Sequence, residues 1–289
     1  MNSLSNIALK PKNQISIKKM RGTCLIQEMH ALIKRLFIQI RRRPSTLISG
    51  IIQPLLWLLL FGALFQNAPV GLFTSEIKYG RFLSPGILIF TAFTGSINAG
   101  LPLMFDREFG FLNRLLVSPL ISRDSILISS SFFITAVTML QSCIILVSSL
   151  LLFNYVPNGS TIFVILCITL LITFSISSIS IGLAFILPGH IELLAFILII
   201  NLPMLFSSTA LAPLSFMPYW LQIIASINPL TYAIESIRYL SISNNWSIYS
   251  IVIKTVWCNI YLNQTLILLI ILDIVSLIIV KKIISYKFE

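Results

Sequence analysis

The run TIFVILCITLLITFSISSISIGLAFIL, residues 161–187, is followed after Pro188-Gly189-His190 by IELLAFILIINLPMLFSSTAL, residues 191–211. Across all of residues 161–211 the one formally charged side chain is Glu192. A bilayer hydrocarbon core about 30 Å thick is crossed by roughly 20 helical residues, and each half of this stretch meets that length. A soluble domain has no core large enough to hide two such runs in succession. The stretch is therefore expected to be a pair of membrane helices joined by a tight polar turn. The rest of the chain agrees, with 57% hydrophobic and only 10% charged residues, where soluble domains carry about a quarter charged.

Working outward, the same length test finds further weakly charged runs at 46–65, 86–105, 126–153 and 264–280, which makes six expected spans. The net charge of +11 is then a matter of topology, because Lys and Arg near span ends are retained on the cytoplasmic side or its organellar equivalent. Ten of the twenty basic residues fall in the first 45 positions. Three more follow the second span and three lie at the C-terminus, against four on the opposite side (Lys78, Arg81, Arg238 and Lys254). Both termini are expected inside. No internal repeat is visible, which argues against transporters built from two similar halves. The division is a basic tail with an interfacial helix at 1–45 and a six-span all-α membrane domain at 46–289. Residues 1–22 read as a solvated basic tail; no secretory signal is evident, and the tail is richer in Lys than a removable targeting peptide usually is. Cys24, Cys143, Cys167 and Cys258 form no paired framework and read as unpaired small hydrophobes.

Three stretches are neither span nor tail. In 26–43 the apolar Ile26, Met29, Ile33, Phe37 and Ile40 recur at helical steps, while Glu28, Lys34, Arg35 and Arg41 take other faces, as in a helix lying at the acyl boundary. After the second span comes Asp106-Arg107-Glu108-Phe109-Gly110-Phe111-Leu112-Asn113-Arg114-Leu115-Leu116-Val117-Ser118-Pro119. Read as a short helix, it places Phe109, Leu112 and Leu116 on one side and Arg107, Glu108 and Arg114 elsewhere. Its charges nearly cancel, so it does more than retain a loop inside: it either docks into a groove on another protein or rests on headgroups. On the expected outer side, Phe216, Met217, Tyr219, Trp220, Leu221, Ile223 and Ile224 suit a re-entrant or interfacial segment. Asn228-Pro229 then starts a helix as N-cap and first residue. That helix brings Glu235 and Arg238 together at i and i+3, either to hold the structure or to meet a substrate.

Asp273 is an acid inside an expected span. A carboxylate at that depth costs about 2.5 to 3.5 kcal/mol on insertion scales. It therefore faces the bundle interior, a partner or water as a candidate functional acid, or it is protonated and hydrogen-bonded. His190 and Glu192 read as a polar loop tip. Two histidines and no clustered cysteines give no metal site, and no nucleophile elbow or Ser/His/Asp set points to a hydrolase.

Taken in order, these landmarks resemble the membrane subunit of ABC-2 type ATP-binding-cassette transporters. The charged loop ending Leu115-Leu116-Val117-Ser118-Pro119 carries the resemblance, with Met217-Pro218-Tyr219-Trp220-Leu221-Gln222, Asn228-Pro229-Leu230-Thr231-Tyr232-Ala233 and Glu235 to Arg238. It implies that 106–118 is a coupling helix seated on a separate ATPase subunit, with Arg107, Glu108, Phe109, Leu112, Arg114 and Leu116 at the contact. It also implies a second permease subunit, most simply a homodimer, and export of bulky molecules. The 289 residues hold no G-x-x-x-x-G-K-[ST] loop, so ATP and Mg belong to the partner, and the chain binds no cofactor and is no enzyme. High Ile, Phe, Asn and Lys with low Ala matches an AT-rich genome. Within the family the chain looks most like the plastid-encoded permeases of red-algal type, with a bacterial inner-membrane protein as the alternative. No nucleic-acid partner follows from the charge. The competing functions are an ion- or proton-driven carrier using Asp273, and a membrane scaffold that moves nothing.

Overall fold

The computed structural model of the chain describes residues 17–42, 44–65, 79–112, 114, 124–153, 157–243 and 247–288. These are mostly helical: α1 (Ile17–Arg42), α2 (Pro44–Leu64), α3 (Tyr79–Ile97), α4 (Gly100–Glu108), α5 (Asp124–Phe153), α6 (Gly159–Ile186), α7 (His190–Phe206), α8 (Tyr219–Ile227), α9 (Pro229–Ile242) and α10 (Leu262–Phe288). Among the described residues, four stretches are long and apolar enough to cross a membrane: Leu47–Leu64, Tyr79–Glu108, Ile128–Phe153 and Gly159–Ile186. Of the other two expected spans, the fifth is the 17-residue α7 and the sixth lies in the 27-residue α10. The fifth ends at Phe206, before the expected 211, because a turn at Ser207–Ala210 follows Pro203.

Helix α6 forms the centre. Its Ile165, Ile168, Ile172 and Ile176 are buried with Ile89, Phe93 and Ile97 of α3 and Leu269 of α10 in one apolar cluster. Its small polar residues are buried too, and several hydroxyls bond back to the helix itself: Thr173 Oγ1 donates to the Leu170 carbonyl (2.8 Å) and Ser178 Oγ to that of Phe174 (2.9 Å). Satisfied in this way, small residues let neighbouring helices approach closely. Beside Val280 of α10, Gly182 leaves space that a Cβ would fill at 2.9 Å.

One expected span is broken. The apolar run 86–105 continues through Ile97-Asn98-Ala99-Gly100, yet α3 stops there and α4 begins. Ser180 of α6 joins the two pieces: its Oγ accepts from Gly100 N–H (2.9 Å) and donates to the Ile97 carbonyl. A Cβ on Gly100 would lie 2.5 Å from the Ser180 carbonyl oxygen. Irregular backbone at this depth survives because protein groups replace the lost helical bonds.

The all-α expectation needs one correction. Ile251–Lys254 and Asn259–Tyr261 form a two-stranded antiparallel hairpin before α10. Its first strand, Ile-Val-Ile-Lys, is rich in β-branched residues, and its tip is closed by Thr255 Oγ1, which accepts from Cys258 N–H and donates to the Cys258 carbonyl.

Candidate functional site

The charged loop expected after the second span is used inside the chain. Asp106, Arg107 and Glu108 are the last turn of α4, and each points to a different neighbour. Asp106 pairs with Arg35 of α1, whose guanidinium also lies 4.1 Å from the Phe111 ring centroid. Arg107 donates to the carbonyls of Ala184 (2.8 Å), Leu187 (2.5 Å) and Pro188 (2.6 Å), covering the C-terminal end of α6. Last-turn carbonyls have no helical partner and carry the negative end of the helix dipole, so a cation there is favourable. Glu108 does the converse at the start of α7: its Oε1 accepts from His190 N–H (2.6 Å) and its Oε2 meets His190 Nδ1 (2.5 Å). Gly189 allows this approach, since a Cβ there would lie 3.0 Å from Glu108 Oε1. Nearby, Ser125 Oγ at the start of α5 donates to Glu28 of α1 (2.5 Å).

Gly110, at φ +71°, ends the helix, because only a residue without a Cβ takes that conformation readily. This corrects the single helical face expected for Phe109, Leu112 and Leu116. Phe109 is 79% exposed and stacks on Phe105, whereas Leu112 is 2% exposed and packs with Leu103, Ile126, Ile181, Phe185 and Val280. Arg114 is exposed; Leu116 and Ser118-Pro119 lie outside the described residues. His190, at the polar turn, also anchors α7 to α4 through Glu108. In the N-terminal helix the residues of the expected stripe are exposed or half-buried. Leu36 is the buried position, Leu32 packs against the cluster around Leu112, and Ile26 and Phe37 are exposed, Phe37 touching Phe133 edge-on.

At the opposite end, Asn228 caps α9 as expected, its Oδ1 accepting from Leu230 N–H (3.0 Å) while its Nδ2 donates to the Met204 carbonyl and Ser207 Oγ. Glu235 and Arg238 do pair. Arg238 is 5% exposed, donates to the Thr209 carbonyl (2.7 Å) and, at 3.3 Å, to that of Phe82, and lies over the Phe82 ring at 3.7 Å. Burial pulls its guanidinium below the ordinary pKa while the Glu235 carboxylate opposes this. The fork is occupied by the chain itself, tying α9 to α3 and to the segment after α7. Asp273 is buried in α10, and its Oδ1 has no hydrogen-bond partner among the described residues.

No sequence pattern announces a partly open cavity of about 450 Å³ lined by α1 to α5. Trp57, Ile87 and Phe90 form its apolar wall, and Gln39, Gln53, Asn98 and Gln141 supply amides. These residues come from α1, α2, α5 and the break between α3 and α4, so no local motif marks them.

Several apolar helices around a buried aliphatic core, with polar ends knotted together, define a multi-pass helical membrane protein. The chain belongs to the ABC-2 type transporter family, whose description matches residues 27–242. Over 281 residues it is 55% identical to the transport permease ycf38 of Pyropia yezoensis, covering 97% of each chain. It is 51% identical to that of Cyanophora paradoxa over 285 residues, 99% of this chain and 98% of the relative. A doxorubicin resistance ABC transporter permease, DrrC of Mycobacterium tuberculosis, is 28% identical over 210 residues, 71% of this chain and 73% of that one. The resemblance to red-algal plastid permeases therefore holds, and the chain is a transport subunit of the membrane type.

Proposed function

We propose that the chain is the permease subunit of an ABC-2 exporter in a plastid membrane, crossing it six times with both termini inside. Helix α7, at 17 residues, meets the lower bound of about 17 for a span, and α10 exceeds it. Two permease subunits form the pathway, and a separate ATP-binding-cassette subunit supplies ATP hydrolysis. The observation that carries this reading is the knot at Asp106-Arg107-Glu108. An ATPase pressing on the exposed Phe109 displaces the end of α4, and three consecutive side chains pass that displacement to α1, α6 and α7 together. ATP binding by the motor then biases two arrangements of the bundle, because the docked end has different contacts in each. Export as the direction is supported by the relative named for doxorubicin resistance.

The test is co-purification with an ATPase bearing a Walker A motif, and its loss in Phe109→Asp with membrane insertion intact. A second reading, an ion- or proton-coupled carrier, is favoured by the buried Asp273 oxygen. Transport that persists without any ATPase and fails in Asp273→Asn would select it.

A further inference from the structure

The cavity between α1 and α5 has a definite chemistry. Among the described residues, none that lines it carries a formal charge. The nearby Arg35 and Asp106 are paired with each other. At 450 Å³ it is the size of a small-ligand site, typically about 300–1,000 Å³. It is lined in part by α2, whose neighbouring Leu56, Leu59 and Leu60 are exposed as on a helix that meets lipid. At one end Leu36, Gln39 and Ile40 of α1 contribute, and α1 is the helix expected at the acyl boundary.

The polar centre is built. Gln141, 5% exposed, lies between two glycines on different helices. A Cβ at Gly50 would lie 2.4 Å from Gln141 Nε2, and one at Gly95 would lie 2.4 Å from Thr138 Cγ2 and 3.1 Å from Gln141 Oε1. The glycines let α2 and α3 close on the amide. Within the described chain Nε2 makes one long bond, to the Leu47 carbonyl at 3.5 Å, although an amide offers two donors and two acceptor positions. Hydrogen-bonding capacity therefore remains in a pocket that gives no counter-charge, and an ionised group brought there would lose its hydration without compensation.

We propose that this cavity binds an acyl-chain amphiphile with an uncharged, hydrogen-bonding headgroup: the chain lies against Trp57, Ile87 and Phe90, and the headgroup meets Gln39, Gln53, Asn98 and Gln141. As a loading site for cargo taken from the bilayer it rests on the permease reading above; as a binding site it does not.

The experiment uses the full chain, purified with its ATPase partner and placed in lipid nanodiscs. Three photoreactive probes share one acyl chain and differ in headgroup: a glycosyl glycerolipid, a phosphatidic acid and a quaternary ammonium amphiphile. Labelled peptides are mapped by mass spectrometry. The expected result is labelling within α2, α3 and α5, at least about tenfold stronger for the glycosyl probe, reflecting the cost of burying an ionised group. Gln141→Leu weakens that labelling about threefold to tenfold, the worth of one net hydrogen bond. If Gln141→Leu does not fold, Gln53→Glu serves, since Gln53 is exposed to the cavity; it should move the preference to the quaternary ammonium probe. Equal labelling by all three probes, labelling elsewhere in the chain, or indifference to the variants overturns the proposal. Loss of the ATPase from the wild-type preparation overturns the permease reading instead, whatever the probes label.

Discussion

Replacing Arg107 by Met keeps the aliphatic stem and removes the guanidinium that covers the end of α6. The carbonyls of Ala184, Leu187 and Pro188 then lose a charged donor. A hydrogen bond to a charged group is worth about 1.5 to 3 kcal/mol, and a cation at a helix C-terminus adds about 0.3 to 1. Water can replace part of this, because the Pro188 contact is exposed. The net expectation is about 2 kcal/mol of destabilisation. The change should be local first, with faster amide hydrogen exchange over residues 181–187 as α6 frays and α4 loses its hold. The comparison is Arg114→Met, since Arg114 is exposed and surface substitutions usually stay within about 0.5 kcal/mol. Denaturant unfolding in detergent with exchange mass spectrometry checks both. Equal stability of the two variants, with unchanged exchange at 181–187, would refute the role given to Arg107.

Ser180→Ala should lower unfolding stability by about 1 to 2 kcal/mol, towards the upper end for membrane hydrogen bonds, because it leaves both Gly100 N–H and the Ile97 carbonyl unpaired. Ser178→Ala, whose hydroxyl bonds only within its own helix, should change little in the same denaturation assay. Arg238→Met should cost about 3 kcal/mol, since it removes the buried donor to the Thr209 and Phe82 carbonyls and leaves the partly buried Glu235 without its partner; fluorescence-detected gel filtration should show little folded protein, and a normal monodisperse yield would contradict it. Gly86→Ala should also destabilise, because its Cβ would lie 2.5 Å from the Ala210 carbonyl oxygen, a backbone atom with little freedom to move; a melting temperature equal to wild type would show that the segment after α7 yields.

Much of the fold was legible because apolar length and helical period are local properties. The runs 126–153 and 161–187 became α5 and α6 within a few residues, and Asn228-Pro229 capped α9 as its chemistry required. The Glu235–Arg238 pair was readable for the same reason, being three residues apart. Partners distant in sequence were not. The residues bound by Asp106, Arg107 and Glu108 lie some 71 to 82 positions away, and no periodicity points to them. The break at Asn98-Ala99 was hidden because the donor and acceptor that permit it belong to Ser180, on another helix. Likewise Phe109 and Leu112 share a helical face only if the helix continues, and Gly110 turns the chain between them. The cavity amides were visible one at a time as ordinary polar residues in apolar helices; packing alone brings them together.

Whether the end of α4 docks an ATPase is decided by affinity purification of the tagged full-length chain, co-expressed with candidate ATP-binding-cassette subunits, as wild type and as Phe109→Asp. The wild type should retain a Walker A ATPase, ATP hydrolysis should accompany the complex, and Phe109→Asp should release the ATPase while inserting and folding normally. Phe109→Asp that holds the ATPase as tightly as wild type would contradict the docking end assigned here, and a wild-type chain that retains no ATPase would contradict the permease reading itself.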